Sequence, residues 1–248
     1  MSYSNTELMV TAAASRLRDD DSVLVGIGVP NLACNLAKRT HAPNLQMIYE
    51  SGTVGSNPSK LPLSVGDPVL ASGAVNVESM MDGFSYYLQG GRIDVGFLGG
   101  AQVDKRGNIN STVIGDYDDP TVRLPGSGGA CEIAANVERT IIIAPHQEQR
   151  FPEEVDFVTS PGFVEGGREE KGLRGGPEAV ITDKAIMAFD DGEMYVDSLH
   201  PGVTRAEVAD ATGWDVDFAD DVTETPPPTD DELAIIREDL DPDGVYLD

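Results

Sequence analysis

The segment Leu45-Gln-Met-Ile-Tyr-Glu-Ser-Gly52 joins a short apolar run to a carboxylate and a turn. A proline and an asparagine precede the run, and a loop containing Gly, Ser, Asn and Pro follows it up to Pro58. These turn-forming residues on both sides of the apolar run predict a strand that ends immediately before Glu50. In an open α/β sheet, ligands bind beyond the carboxyl ends of the strands. Glu50 is therefore a candidate site residue, and the alternative at this point is a solvated loop glutamate.

The residues upstream of this segment predict the first half of a β-α-β unit. Ser22-Val-Leu-Val25 has the character of a buried strand, and Gly26-Ile-Gly-Val-Pro30 follows it. Pro30 suits the first turn of a helix, which we expect to run to about Lys38. The turn lacks the third glycine of a dinucleotide-binding fingerprint, so a close backbone turn is the preferred interpretation. A helix between two strands favours a parallel sheet.

Downstream, the pattern continues to alternate between helices and strands. Val75 to Gln89 carries Met, Val and aromatic residues at helical spacing, which we interpret as a helix with this face in the core. Ile93 to Leu98 predicts a strand that runs into Gly99 and Gly100. The turn Gly126-Ser-Gly-Gly129 precedes a short helix and a β-branched strand at 140–144. Shorter strands are expected at 155–159, 179–182, 185–189 and 194–196, and a helix at 204–211.

This order of elements predicts an α/β fold, with a single domain built on an open, mostly parallel sheet with flanking helices. Residues 1–228 form this domain, including a linker at 220–228 that contains three consecutive prolines. Residues 229–248 form a C-terminal helical arm. The arm begins at Thr229-Asp-Asp-Glu232, which has the pattern of a capping box, and its helix is expected to end near Leu240.

The charge of the chain limits its partners. The 248 residues carry a net charge of −26, with acidic residues spread over the whole length. Such a surface repels nucleic acid and anionic membranes, and we interpret it as an adaptation to high salt, where self-repulsion is screened. No apolar run approaches a membrane span, and the first residues lack a signal-peptide pattern. Two cysteines without metal or redox spacing fit the reducing cytoplasm.

Several common catalytic sites do not fit this sequence. The three histidines, His41, His146 and His200, are far apart in sequence, and we predict no metal site. Ser127 lacks the Gly-x-Ser-x-Gly nucleophile elbow, and there is no phosphate loop. The remaining candidates for a catalytic site are a carboxylate at a strand end and two glycine turns. A glutamate is already ionised at neutral pH, and it can attack a thioester because the thiolate departs without a proton.

Three ordered motifs resemble the B subunits of family I CoA-transferases, most closely those of the glutaconate type. They are Tyr49-Glu-Ser-Gly52, Leu98-Gly-Gly-Ala-Gln-Val-Asp104 with Gly107-Asn-Ile-Asn110, and Leu124-Pro-Gly-Ser-Gly-Gly129. The similarity extends over nearly the whole chain, including Gly26-Ile-Gly-Val-Pro-Asn31 and the C-terminal tail. It implies a CoA-transferase-like fold and places the nucleophile at Glu50, which would form a mixed anhydride and then a glutamyl-CoA thioester.

The resemblance also implies the surroundings of the reaction. The substrate, CoA and oxyanion environment would comprise Ser51, Gly52, Gly99, Gly100, Gln102, Gly126, Ser127, Gly128 and Gly129. Coenzyme A would be a substrate, with no cofactor bound permanently, and the other reactant would be a small carboxylic acid. The partner would be an A-type subunit in a heterotetramer or larger complex. Ketoacid relatives carry Ser-Glu-Asn-Gly, so the flanking Tyr49 and Ser51 argue against an acetoacetate-type substrate.

Two other functions remain open on the sequence. The first is an acyl-CoA thioester hydrolase, or a hydrolase of CoA-linked ring fragments, on the same fold. The second is a non-catalytic ligand-sensing subunit, because a fold does not determine a function.

Overall fold

A computed structural model of the chain describes residues 2–58 and 60–247. The chain forms two compact units. Unit 1 comprises Met1–Phe97 with Pro227–Asp248, and unit 2 comprises Leu98–Pro226.

The first part of unit 1 contains parallel strands with two antiparallel additions. Its strands follow one another in the order β5-β1-β2-β3-β4. Strand β1 is parallel to β2 and to β5, whereas β3 pairs antiparallel with β2 and with β4. The elements are α1 (Asn5–Ala14), β1 (Ser22–Leu24), α2 (Val29–Arg39), β2 (Gln46–Ile48), β3 (Thr53–Val54), β4 (Asn76–Val77), α3 (Met80–Asp82, continued by a π-helical turn at Gly83–Leu88) and β5 (Val95–Leu98).

The predicted β-α-β unit is confirmed. Pro30 lies in the first turn of α2, where the missing amide hydrogen has no intrahelical partner to lose. The inner face of α2 is fully buried, with Leu32 and Leu36 inaccessible to solvent. Strand β2 supplies Met47 to the same core. Burial of these side chains fixes β2 beside β1, and the chain leaves the sheet at the position predicted for Glu50.

The core helix predicted from Val75 to Gln89 is wrong in its start and in its burial. Val77 belongs to strand β4, and α3 begins only after Ser79, whose side chain and that of Asp82 form a capping box. The large apolar side chains of the segment are mostly exposed, and Leu88 is the fully buried one. Helical spacing identifies an apolar face, but it does not reveal whether the chain itself covers that face.

Unit 2 combines two small hairpins with a five-stranded layer. The hairpins are β6 with β7 and β8 with β9, and the layer has the order β10-β11-β12-β13-β14, with parallel pairs at both of its ends. The elements are β6 (Gln102–Val103), β7 (Ile109–Asn110), β8 (Val113–Gly115), β9 (Pro120–Arg123), α4 (Ala130–Asn136), β10 (Arg139–Ile143), β11 (Gly176–Ile181), β12 (Ala185–Asp190), β13 (Glu193–Leu199), α5 (Arg205–Asp210) and β14 (Asp217–Glu224).

Two sequence predictions in unit 2 are corrected. Residues 155–159 form no strand, because they belong to an irregular loop with an isolated bridge from Ser160 to Ile109. Residues 220–224 are not a linker, because they continue β14 beside β13. The acidic side chains of β14 had suggested a loop, but charges on an edge strand are compatible with pairing on its other side.

The C-terminal segment returns to unit 1. Helix α6 (Asp230–Ala234, continued by a π-helical turn at Ile235–Leu240) starts at the predicted capping box of Thr229 and Glu232. Arg237 forms an ion pair with Glu7 at 2.5 Å, and Arg39 forms one with Asp239 at 2.6 Å. The domain boundary at residue 228 stays a prediction. Within residues 2–58 and 60–247, no helix combines the length and apolar character that a bilayer crossing requires.

Candidate active site

Glu50 lies in a tight turn that directly follows β2. The amide of Gly52 donates to the carbonyl oxygen of Tyr49 at 2.9 Å, which makes Glu50 and Ser51 the two central residues of the turn. The amide of Tyr49 donates to the carbonyl oxygen of Thr53 at 3.0 Å, so the hairpin holds both ends of the turn. The carboxylate is therefore carried by a short, hydrogen-bonded turn rather than by a free loop.

The environment of Glu50 favours its neutral form. The side chain is half-buried, and burial raises the pKa of its carboxyl group above the usual value. Within the part of the chain that the structure describes, no side chain donates a hydrogen bond to this carboxylate or pairs with it. A carboxylate that is partly desolvated and unengaged is more basic than an exposed one, and it is available for reaction.

The two residues that follow Glu50 have different roles in the turn. Gly52 has φ of +92°, and a Cβ atom at this position would overlap the carbonyl oxygen of Glu78. Glycine is thus required both for the backbone conformation and for the space. Ser51 is half-buried, and its hydroxyl lies 3.5 Å from that of Thr53.

In unit 2, Gly99 and Gly100 follow β5, and Gly100 packs closely against the β6–β7 hairpin. A Cβ atom on Gly100 would overlap the side chain of Ile109 and lie 2.9 Å from the carbonyl oxygen of Asn110. Gly99 is exposed. Arg150 donates from Nη1 to the carbonyl oxygen of Gly100 at 2.6 Å, which fixes the orientation of that peptide.

Gln102 is buried, and its side-chain amide is engaged within unit 2. Its Oε1 accepts from Asn110 Nδ2 at 2.7 Å and from the amide of Asp156 at 3.0 Å. Its Nε2 donates to Asp156 Oδ2 at 3.1 Å. Gln102 thus links β6 to β7 and to the loop at Asp156.

The turn from Gly126 to Gly129 is anchored at its first residue. The amide of Gly126 donates to the carbonyl oxygen of Ser111 at 2.8 Å, and the Ser111 hydroxyl donates back to the carbonyl oxygen of Gly126 at 3.0 Å. Ser127 Oγ accepts from the amide of Cys131 at 3.1 Å, so this hydroxyl is occupied at the start of α4. Within the described residues, the amides of Ser127, Gly128 and Gly129 have no acceptor.

The structure brings the two glycine turns of unit 2 close to a common hairpin. Gly100 packs on Asn110, the next residue Ala101 donates to the Asn110 carbonyl oxygen at 2.8 Å, and Ser111 holds Gly126. Sequence reasoning missed Ser111 and Arg150 because both act through backbone carbonyl groups, which leave no motif. Glu50, Ser51 and Gly52 lie in unit 1.

Two of the three histidines are buried and hydrogen-bonded. His146 and His200 are buried, and both form hydrogen bonds with Thr182. His146 bonds to the hydroxyl group of Thr182, and His200 donates to its carbonyl oxygen. Burial lowers the pKa of both, to about 4 for His146. His41 is exposed. Among residues 2–58 and 60–247, no group of three His, Cys, Asp or Glu side chains is arranged to hold a metal ion.

Comparison with known proteins places this geometry in a family. The family described as Coenzyme A transferase matches residues 6–211. The chain is 52% identical to the B subunit of the 3-oxoadipate CoA-transferase of Pseudomonas knackmussii, over 95% of this chain and 92% of that protein. It is 29% identical to the cholesterol ring-cleaving hydrolase IpdB subunit of Mycobacterium tuberculosis, over 95% and 94% of the two chains.

The glutaconate CoA-transferase of Acidaminococcus fermentans is similar in sequence and in structure. Its B subunit is 38% identical over 99% of this chain and 95% of that protein. Its crystal structure superposes with a TM-score of 0.93, covering 100% of this chain and 98% of the other. The match confirms the predicted α/β class, a single CoA-transferase-like domain with a mostly parallel sheet, and the names of the relatives indicate a heteromeric partner. The chain therefore belongs to the coenzyme A transferase family and corresponds to its B subunits.

Proposed function

We propose that this chain, together with an A-type subunit, transfers CoA between an acyl-CoA and a carboxylic acid through a glutamyl-CoA thioester on Glu50. The observation that supports it most is the position of Glu50, an unengaged carboxylate in a tight turn directly after a parallel strand. A carboxylate here requires no base, and burial, which raises the pKa of Glu50, increases its nucleophilicity.

The reaction proceeds in two symmetrical halves. One Glu50 oxygen attacks the thioester carbonyl, and the tetrahedral intermediate expels CoA thiolate to leave an acyl-glutamyl anhydride. The thiolate then attacks the glutamyl carbonyl, which releases the free acid and forms glutamyl-CoA. The acceptor carboxylate attacks this thioester, expelling CoA thiolate again. Attack of that thiolate on the acceptor's acyl carbon gives the new acyl-CoA and restores the Glu50 carboxylate.

The oxyanion of each tetrahedral intermediate needs hydrogen-bond donors. The amides of Ser127, Gly128 and Gly129 are suited to this role because no described residue accepts from them. A single such donor typically contributes about 10²–10³ in rate. We assign Gly99, Gly100, Gly126 and these three residues to the oxyanion and CoA environment. Ser51 and Gly52 directly follow the proposed nucleophile. Gln102 supports the glycine turns indirectly, through its hydrogen bond to Asn110.

The substrate class follows from the named activities of the relatives. Two CoA-transferases to which this chain is more than 30% identical are named for 3-oxoadipate and glutaconate, which are both dicarboxylic acids. We therefore propose a dicarboxylic acid as the CoA acceptor or donor. Coenzyme A acts as a substrate rather than as a resident cofactor.

Glu50→Gln in the two-subunit complex tests this function. The substitution keeps the volume and removes the nucleophile, so CoA transfer between two dicarboxylates should fall by at least about 10²–10⁴. Glu154→Gln is the matched control, because Glu154 is exposed and lies outside the proposed site. Retention of more than about a tenth of the transfer rate in Glu50→Gln would refute the role of Glu50 as the nucleophile, because loss of such a group typically costs about 10²–10⁴ in rate. Acyl-CoA hydrolysis without transfer in the unaltered complex would instead support a hydrolase.

A further inference from the structure

Arg150 holds the first glycine turn of unit 2 at the end of a parallel strand. Strand β10 runs parallel to β11 and ends at Ile143, and a short 3-10 turn at Glu148–Arg150 follows it. Gly99 packs against the same strand end, since a Cβ atom on Gly99 would lie 3.0 Å from the carbonyl oxygen of Ile143. The guanidinium group of Arg150, bonded to Gly100, therefore lies where open α/β sheets bind their ligands.

The guanidinium group of Arg150 has donors that the protein does not use. Nη1 donates to the carbonyl oxygen of Gly100 at 2.6 Å. Nε is enclosed by protein atoms without a hydrogen-bond partner. Within residues 2–58 and 60–247, Nη2 donates no hydrogen bond, no carboxylate pairs with the group, and Nη2 is not an enclosed atom. A half-buried cation without a counter-ion is unusual, and an acceptor brought by a ligand would complete it.

Arg168 shows how unit 2 treats an arginine that has only a structural role. Its side chain is 6% exposed, and every one of its N–H groups is matched by a carbonyl oxygen. The acceptors lie at 2.5–2.8 Å and belong to Ala134, Pro161, Gly162, Arg174 and Gly175. The planar fork of Arg168 is thus saturated by the backbone. Arg150 differs because its fork is left partly free beside a glycine turn.

We propose that Arg150 binds the remote carboxylate of the dicarboxylic acid, the one that does not react, and this inference rests on the proposed function. A guanidinium group matches a carboxylate in shape and charge, and such charge-assisted hydrogen bonds are about twice as strong as neutral ones. A monocarboxylic acid would leave the half-buried cation without a partner. Arg150 would therefore select dicarboxylic over monocarboxylic acids.

A phosphate group of CoA is a poorer occupant of the same position. The exposed Glu148 belongs to the turn that carries Arg150, and the whole chain has a net charge of −26. A terminal phosphate carries about two negative charges, so it is repelled more strongly than a single carboxylate. One guanidinium group neutralises a carboxylate completely and such a phosphate only in part.

The test measures how tightly the complex with the A-type subunit binds glutarate and pentanoate, which has a methyl group in place of the second carboxylate. The readout is the dissociation constant from calorimetry, which needs no turnover. Arg150→Met keeps the apolar stem and removes the charge, so glutarate affinity should fall by at least about tenfold and pentanoate affinity far less. Arg205→Met is the matched control, because Arg205 is an exposed arginine of unit 2 over the Phe218 ring.

Arg150→Lys is the second variant, and it keeps the charge without the fork. Its glutarate affinity should lie between those of the unaltered complex and Arg150→Met, and this variant decides the test if Arg150→Met fails to fold. Equal losses for glutarate and pentanoate would show that Arg150 only holds Gly100, and would overturn the carboxylate site. A loss of acyl-CoA affinity that disappears with dephospho-CoA thioesters would assign the group to a phosphate and would also overturn it.

The outcomes separate this inference from the proposed function. A complex that never transfers CoA, but in which Arg150→Met selectively weakens glutarate binding, would support the carboxylate site and refute the proposed function. Transfer of CoA through Glu50 with no selective effect of Arg150→Met would support the proposed function and overturn the carboxylate site.

Discussion

The hydroxyl of Tyr49 donates a hydrogen bond to Asn31 Oδ1 at 3.2 Å, and both residues are completely buried. The bond joins the residue before Glu50, the proposed nucleophile, to the first turn of α2. Tyr49 therefore faces the core rather than a substrate. Its hydroxyl anchors the end of β2 to α2.

Tyr49→Phe should destabilise the chain modestly and slow the reaction. Loss of the buried hydrogen bond costs about 1 kcal/mol, which corresponds to a decrease of about 2–4 °C in the melting temperature. We expect kcat to fall several-fold with little change in KM, because the Glu50 turn becomes less well held. Thermal unfolding and steady-state kinetics measure the two effects. Tyr117→Phe, at a ring that is 54% exposed, is the control and should change neither quantity.

Gly128→Val should reduce the transfer rate far more than it reduces stability. Gly128 has φ of +52° and no atom within 4 Å of an added Cβ, so the substitution strains the backbone by about 1 kcal/mol without a clash. A side chain here would enter the space that we propose for the thioester. Gly202→Val is matched in conformation, with φ of +83° and equally open space. Equal transfer rates in the two variants would show that no substrate approaches Gly128.

Much of this architecture follows from local sequence signals. The β-α-β unit, the strand end at Glu50 and the capping box at Thr229 were predictable, because apolar runs, turn residues and caps act over a few residues. The exposure of Met80 and Met81 was not, because it depends on which surface the rest of the chain covers. The roles of Arg150 and Ser111 were also hidden, since each stabilises a carbonyl group that is distant in sequence.

The buried histidines predict a loss of stability in mild acid. In the unfolded chain, His146 titrates with its ordinary pKa near 6.5, whereas burial lowers the pKa to about 4 in the fold. The unfolded state therefore binds the extra proton as the pH falls from 6.5 towards 4, and the free energy of unfolding declines by up to about 3 kcal/mol in that window. His146→Gln should flatten this part of the stability profile in urea titrations. An unchanged slope in His146→Gln would contradict this prediction.

The net charge of −26 predicts a strong dependence on salt. Repulsion among the acidic side chains destabilises the fold at low ionic strength, and molar KCl screens it. The melting temperature should therefore rise steeply between dilute buffer and molar KCl. Chloride is preferred to sulfate because sulfate strengthens apolar burial in any protein. A melting temperature that is independent of KCl would contradict the interpretation as a high-salt protein.

Covalent trapping of the enzyme is the most direct measurement of the glutamyl-CoA mechanism. The complex with the A-type subunit is incubated with a dicarboxylyl-CoA in the absence of an acceptor, reduced with borohydride and digested for peptide mass spectrometry. We predict that the peptide containing Glu50 carries an alcohol in place of the carboxyl group, and that prior addition of an acceptor dicarboxylate abolishes this product. Transfer of CoA by the same preparation with an unmodified Glu50 peptide would contradict the mechanism.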